Sequence, residues 1–335
     1  MMKVTRSPIP LRTVLVLVFG LSFSLATAFS EDTYEFRGRV LQPDGKSFRD
    51  ALASAFLQGA TTPFTTRTLA GRDGKFKFKQ LRAGMYTLII TVPLWGEMRR
   101  TIEIGPSFAD AKGRIEETFY LEERYTRDDK YTISASQLTV PDRALREYGK
   151  AADRLEKHEV SRAIEHLKRA VELAPQFAAA WNYLGTIAYH AGDYRQAEEY
   201  FREALEQDAD AYWPLVNLGG ALISQQREEE AVTVNERAVQ ARPGDALAHS
   251  QLGQCYFSLR RLEDAERHLR QAKALDPRHF SFPQLVLAEL YQQRGDDPAL
   301  IHELEEFLEY HPDSDRAPEI TEWLNRVRPR KSEVP

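Results

Sequence analysis

Two pentapeptides open like the metal-binding turn of a zinc helix. His158-Glu159-Val160-Ser161-Arg162 and His302-Glu303-Leu304-Glu305-Glu306 each start with a His-Glu pair. Hydrolytic zinc chemistry needs a second imidazole four residues on, so that two nitrogens leave one helix face with the glutamate between them as general base. Arg162 and Glu306 stand in that place, so neither stretch predicts a metal centre. Cys255 is the single cysteine, which excludes an intrachain disulfide and any multi-thiolate metal site. In the helical pattern LGQCYFSL it reads as a small packed residue. Glu116 and Glu117 are neighbours on a presumed strand and face opposite sides, so they cannot share acid–base work. The run Arg227-Glu228-Glu229-Glu230 reads as a solvated turn and helix start. No G-x-S-x-G, S-x-x-K or P-loop occurs. The expectation is a non-catalytic chain with no cofactor and no metal.

Charge narrows the partners further. Residues 31–125 hold 15 Lys/Arg against 13 Asp/Glu, a balance of +2, whereas residues 142–335 hold 25 against 35, a balance of −10. Phosphate neutralisation needs clustered cations, so the acidic larger half argues against nucleic acid. At the start, Lys3, Arg6 and Arg12 precede the apolar stretch 14–29, and Ala26-Thr27-Ala28 follows with small residues. That order predicts a secretory signal over residues 1–30, cleaved near Ala28 or Ser30, and an exported chain in the periplasm or associated with the cell envelope. The stretch is short of the roughly 20 residues that span a bilayer.

Residues 31–125 change to period two. YEFRGRV and KFKFK alternate, Asp44-Gly45 and Asp73-Gly74 are hairpin turns, and MYTLIITV is dense in β-branched residues. About seven short strands predict a small antiparallel β-sandwich. The succession GRV at 38–40, PDG at 43–45, DGKFKF at 73–78 and LRAGMYTL at 81–88 resembles the carboxypeptidase regulatory-like domain. That resemblance implies a transthyretin-like sandwich serving as an accessory module. ALASAFLQ at 51–58 is poorer in β-branched residues than the family's second strand, which leaves its register open. Phe76, Phe78, Tyr86, Leu88 and Ile90 read as core, and Trp95 as a ring packed at the sandwich edge. Trp95 is also the residue that a glycan-binding sandwich would use, and an envelope glycan-binding protein with the repeats as spacer is the alternative reading.

Residues 126–141 are polar and end at Val140-Pro141, a linker before helical periodicity begins at Asp142. Ala163, Ala197, Ala231 and Ala265 then recur every 34 residues, as do Ala170, Ala204, Ala238 and Ala272. Leu184-Gly185, Leu218-Gly219 and Leu252-Gly253 keep the same interval. Neither helix of such a unit can bury its apolar face alone, so stability must come from stacking. The period and residues resemble the tetratricopeptide repeat. About five units are expected over residues 142–314, starting near Ala144, Ala178, Tyr212, Ala246 and, after a one-residue slip, Ser281. A capping helix and tail would occupy 315–335. Lys150-Ala151 replaces Leu-Gly in the first unit, which then acts as a polar cap. In the third unit Asn235 replaces the usual aromatic and predicts a looser seam.

The fold class expected is therefore multidomain, a small β-sandwich followed by an all-α solenoid. In the tetratricopeptide family the first helix of each unit lines a concave groove. Carried across, the groove residues are Tyr148; Asn182, Thr186 and Tyr189; Trp213, Asn217 and Gly220; Leu247, Gln251, Gln254 and Phe257; and Phe282, Leu285 and Gln292. Tyr189, Trp213 and Phe257 would be the main anchors. Amides can pair with a peptide backbone and aromatics supply contact area, so the expected partner is a protein or peptide segment. Lysine is missing from these positions, which disfavours a clamp on a terminal carboxylate.

Overall fold

The computed structural model describes residues 33–48, 52–93, 95–121 and 139–328. The signal-like residues 1–30 and the linker up to residue 138 lie outside them. From Thr33 onward the chain forms one compact unit. Among the described residues no helix is long and apolar enough to cross a membrane.

Among the described residues seven strands come first: β1 (Tyr34–Leu41), β2 (Ser54–Gly59), β3 (Thr65–Leu69), β4 (Lys75–Leu81), β5 (Gly84–Val92), β6 (Gly96–Ile104) and β7 (Arg114–Tyr120). They form two sheets, ordered β4-β1-β7 and β3-β2-β5-β6. One pairing departs from the antiparallel expectation: β1 and β7 run parallel, with Phe36 beside Ile115 and Val40 beside Phe119. The first and last strands are thus neighbours, and a hairpin cannot join parallel strands. The residues that left the second strand in doubt settle into a regular inner strand. β2 pairs on both sides, and Ala55 and Leu57 point into the core. The alternation of β4 holds as read, with Phe76 and Phe78 buried and Lys75, Lys77 and Lys79 outside. The turn before it requires glycine: Gly74 has φ +78°, and a Cβ there would meet the Val40 carbonyl oxygen at 2.1 Å. Trp95 packs edge-on against Phe48, ring centroids 5.0 Å apart.

Eleven helices follow among the described residues: α1 (Asp142–Glu156), α2 (Val160–Leu173), α3 (Ala178–His190), α4 (Tyr194–Gln207), α5 (Tyr212–Ser224), α6 (Glu228–Ala241), α7 (Ala246–Ser258), α8 (Leu262–Leu275), α9 (Pro283–Arg294), α10 (Asp297–Tyr310) and α11 (Ala317–Val327). They make five helical hairpins and a terminal helix. Both 34-residue alanine series are fully buried, because a methyl lets two helices approach where a longer side chain would hold them apart. α9 begins later than the spacing predicts, at Pro283, after Phe282 takes a left-handed conformation with φ 53°.

In the second, third and fourth hairpins a side chain of the second helix closes the seam over a glycine of the first. Phe201 covers Gly185, and Leu269 covers Gly253; a Cβ on either glycine would come within 2.5 Å of the side chain above it. Asn235 fills the same place over Gly219, wholly buried. Neither its Oδ1 nor its Nδ2 finds a hydrogen-bond partner among the described residues. The amide forfeits its water without replacement, a loss of about 1–3 kcal/mol. Asn235→Leu, which copies the fourth unit, is expected to stabilise the protein by about 1–2 kcal/mol. Each kcal/mol should raise the calorimetric melting temperature by about 2–4 °C. An unchanged or lower melting temperature would refute this account of the seam.

Candidate partner-binding groove

The first helices of the hairpins are α1, α3, α5, α7 and α9, and stacking at constant phase turns their equivalent residues toward one another. Trp181 fixes the entry of the second unit, its indole N–H donating to the Pro175 carbonyl at 2.8 Å. The next residue, Asn182, accepts a hydrogen bond from Asn217 Nδ2 at 3.0 Å, so an amide bridge joins neighbouring units. Thr186 donates back to the Asn182 carbonyl at 2.9 Å. Ser224 donates to the Tyr189 hydroxyl at 3.4 Å. Gly220 lies between Tyr189 and Gln251: a Cβ there would meet Gln251 Nε2 at 3.0 Å and the Tyr189 oxygen at 3.7 Å. Gln251 Oε1 is buried with no partner among the described residues.

This inner row carries no charge at neutral pH. Burial pushes the Tyr189 phenol well up and drives the neighbouring His190 imidazole down to about 4. Asn182, Thr186, Tyr189, Asn217, Gly220 and Gln251 thus form one contiguous neutral strip, and Gln254 lies half-buried on the same helix as Gln251. The other residues in the groove series sit differently. Tyr148 packs between Phe177 and Tyr183, at 4.9 and 5.5 Å between centroids. Phe257 is 3% exposed, and Leu285 is buried alike; close packing leaves Phe257 little ring face for a partner. Phe282 stacks edge-on against Phe307 and His311. Leu247 is half-buried and Gln292 exposed.

Trp213 has company that its sequence position does not announce. The Arg99 guanidinium lies 3.7 Å from the centre of its ring, a cation–π contact. Arg99 belongs to β6, the edge strand of the larger sheet. Alternate residues of that strand meet the junctions between repeat units. Glu97 pairs with Arg242 at 3.2 Å, and Arg99 Nη1 with Asp245 at 2.9 Å. The backbone N–H of Thr101 donates to Asp276 at 2.8 Å, and Glu103 meets His311 Nδ1 at 3.1 Å. Beyond the strand, Asp313 accepts from the Ser107 N–H and hydroxyl. Burial alone would raise the Asp245 carboxyl, but the Arg99 charge and its hydrogen bonds hold it below the usual carboxylate value. An edge strand needs cover for its free N–H groups, and the carboxylate of Asp276 supplies it for Thr101. Sequence alone hid this contact. Polar residues at 97, 99, 101 and 103 have the period of an ordinary solvated strand face, yet Thr101 and Glu103 are buried.

Other chemistry-bearing groups are neutralised by packing. Burial pushes the Cys255 thiol up to about 12. His302, Glu303 and Glu306 bring ligand atoms within 4.8 Å of one another without the second histidine of a zinc helix. The Lys273 ammonium already lies between the two glutamates, 2.8 Å from Glu303 and 3.0 Å from Glu306, so the carboxylates have their cation.

Comparison with known proteins bears on the repeat array alone. Models of the tetratricopeptide repeat match residues 148–212, 188–250 and 222–282. A TPR repeat-containing protein of Pseudomonas aeruginosa, PA0015, is 36% identical over 64 residues, 19% of this chain. The match spans 61% of that relative's length. Among solved structures, PilW, described as a widely conserved type IV pilus biogenesis factor, superposes with a TM-score of 0.50 at 17% identity. It covers 55% of this chain and 85% of its own. YrrB, described as a TPR protein with an unusual peptide-binding site, gives 0.45 at 20% identity, over 56% of this chain and 98% of its own.

Proposed function

We propose that this tetratricopeptide-repeat solenoid is the recognition part of an exported, non-catalytic scaffold, and that it takes a protein or peptide partner in its concave groove. The observation that carries the reading is the strip of neutral polar groups from Asn182 through Asn217 to Gln251. Amides that bridge unit to unit can exchange one another for the backbone of an extended segment, and Gln251 Oε1 is an acceptor still lacking a donor. The neutrality of the strip selects against partners held mainly by charge. In this reading the sandwich is an accessory module of the carboxypeptidase regulatory-like kind, and residues 1–30 direct the chain out of the cytoplasm to the periplasm or envelope. The mass of the mature amino terminus tests the export: a start near Phe29 or Glu31 is expected.

The groove is tested with peptides selected from a random library on the full chain. The enriched class should cross-link to α3, α5 and α7. Asn217→Ala combined with Gln251→Ala should weaken its binding at least about tenfold, the equivalent of roughly 1.4 kcal/mol. Binders that map to the outer helices, or an affinity untouched by the double substitution, would overturn the reading.

A further inference from the structure

The contact between β6 and the unit junctions is made almost wholly of charge and hydrogen bonds. Among the described residues the sandwich has a core cluster of its own, from Phe36 to Leu121, and the helices have theirs, one from Val140 to Ile187 and another from Tyr212 to Ala248. None of these clusters runs across the β6 contact, so parting there leaves each its own core; the two sides also meet at β3, where Phe64 stacks on His158 with ring centroids 5.2 Å apart and the Thr66 hydroxyl donates to Glu156 at 2.7 Å. Polar interfaces of this kind within one chain permit relative movement by default. The contact also falls where it matters for binding, because Arg99 lies over Trp213, an aromatic residue of the groove series.

We propose that the sandwich is a cis-acting cover: the outer row of β6 closes the rim of the solenoid from the third unit to the fifth, and a partner that uses the Trp213 end of the groove must first lift it away. The inference rests on the groove reading above for what is covered, but the cover itself can be tested with no partner present. The fold explains how it is held. Residues 97, 99, 101 and 103 leave the same side of one strand at two-residue spacing. They reach Arg242, Asp245, Asp276 and His311, which stand at successive junctions of the solenoid. The geometry also explains how it could be released. Ion pairs weaken as salt rises, and a partner that brings its own cation to Asp245 or its own ring to Trp213 replaces what Arg99 supplies.

The test is hydrogen exchange and hydroxyl-radical labelling on the full chain. Arg99→Glu sets two carboxylates against each other at Asp245. Gly105→Val works by shape instead, since a Cβ at Gly105 would fall 2.3 Å from the Asp313 carboxylate. In either variant the Thr101 and Ser107 amides, whose N–H groups donate to Asp276 and Asp313, should exchange at least about tenfold faster and Trp213 should label more strongly, while β1, β5 and the helices keep their protection. The native chain in about 1 M salt, where the screening length is about 3 Å, should shift the same way. The proposal is overturned if the Thr101 and Ser107 amides keep their protection in both variants, or if Trp213 labelling does not rise. It is equally overturned if the acceleration spreads to β1, β5 or the helices, because the contact would then belong to the fold and not to a cover.

Discussion

Phe201→Ala is expected to destabilise the protein by about 3–5 kcal/mol and to lower the main melting transition by about 10 °C. The ring is 1% exposed and rests on Gly185, whose missing side chain leaves the space that it fills. Truncation removes a large apolar group and opens a cavity that the flanking backbones cannot close, since the stacked neighbours hold both helices apart. The loss should also propagate along the array. In a solenoid each unit is stabilised through its neighbours, so a broken second seam uncouples the first unit from the third. Calorimetry should show a broader or split transition. A loss below about 1 kcal/mol, with one sharp transition, would contradict the seam described here.

Lys273→Met should be nearly as costly, about 3–5 kcal/mol at neutral pH, through charge instead of shape. Lys273 on α8 lies against Glu303 and Glu306 on α10, with side-chain exposures of 18%, 5% and 15%. Burial already raises the Glu303 carboxyl, and Lys273 is the opposing influence. Without the ammonium, Glu303 keeps its burial and loses its partner, so its folded value rises further above the unfolded one. A carboxyl raised in this direction favours the folded state at low pH and loses that contribution as pH rises through the folded value. The deficit of the variant should therefore be smallest near pH 4 and largest above neutrality, as urea midpoints across pH would record. Adding Glu303→Gln should restore most of the loss, because the lone charge is removed. A penalty that is flat with pH would rule out this explanation.

Legibility in the sequence followed the range of the forces involved. The repeats were plain because a helix pair stacking on its neighbour imposes one period on every interface, and the alanine and Leu-Gly series carry that period openly. The strands of the sandwich were plain where alternation was strict, as at Phe76 and Phe78. The parallel partnership of β1 and β7 was not, since periodicity tells which face a residue occupies and nothing of which strand lies beside it. The groove divides in the same way. Phase placed Asn182, Asn217 and Gln251 in one row. It could not tell that the Phe257 ring packs inward, or that Trp213 is met by an arginine more than a hundred residues earlier in the chain. The buried Asn235 was marked by its departure from the pattern, but whether its amide would find a partner depended on surroundings that no single position encodes.

The side-by-side alignment of β1 with β7 has a consequence for the birth of the molecule. Those two strands lie about eighty residues apart along the chain, whereas every helical hairpin closes within about thirty. Rates of folding fall as contacts become more distant in sequence. The sandwich is synthesised first, yet its smaller sheet stays unfinished until Tyr120 has emerged, while each hairpin can form as soon as its second helix is complete. The sandwich should thus consolidate in a single step once residue 120 is available, and the solenoid hairpin by hairpin.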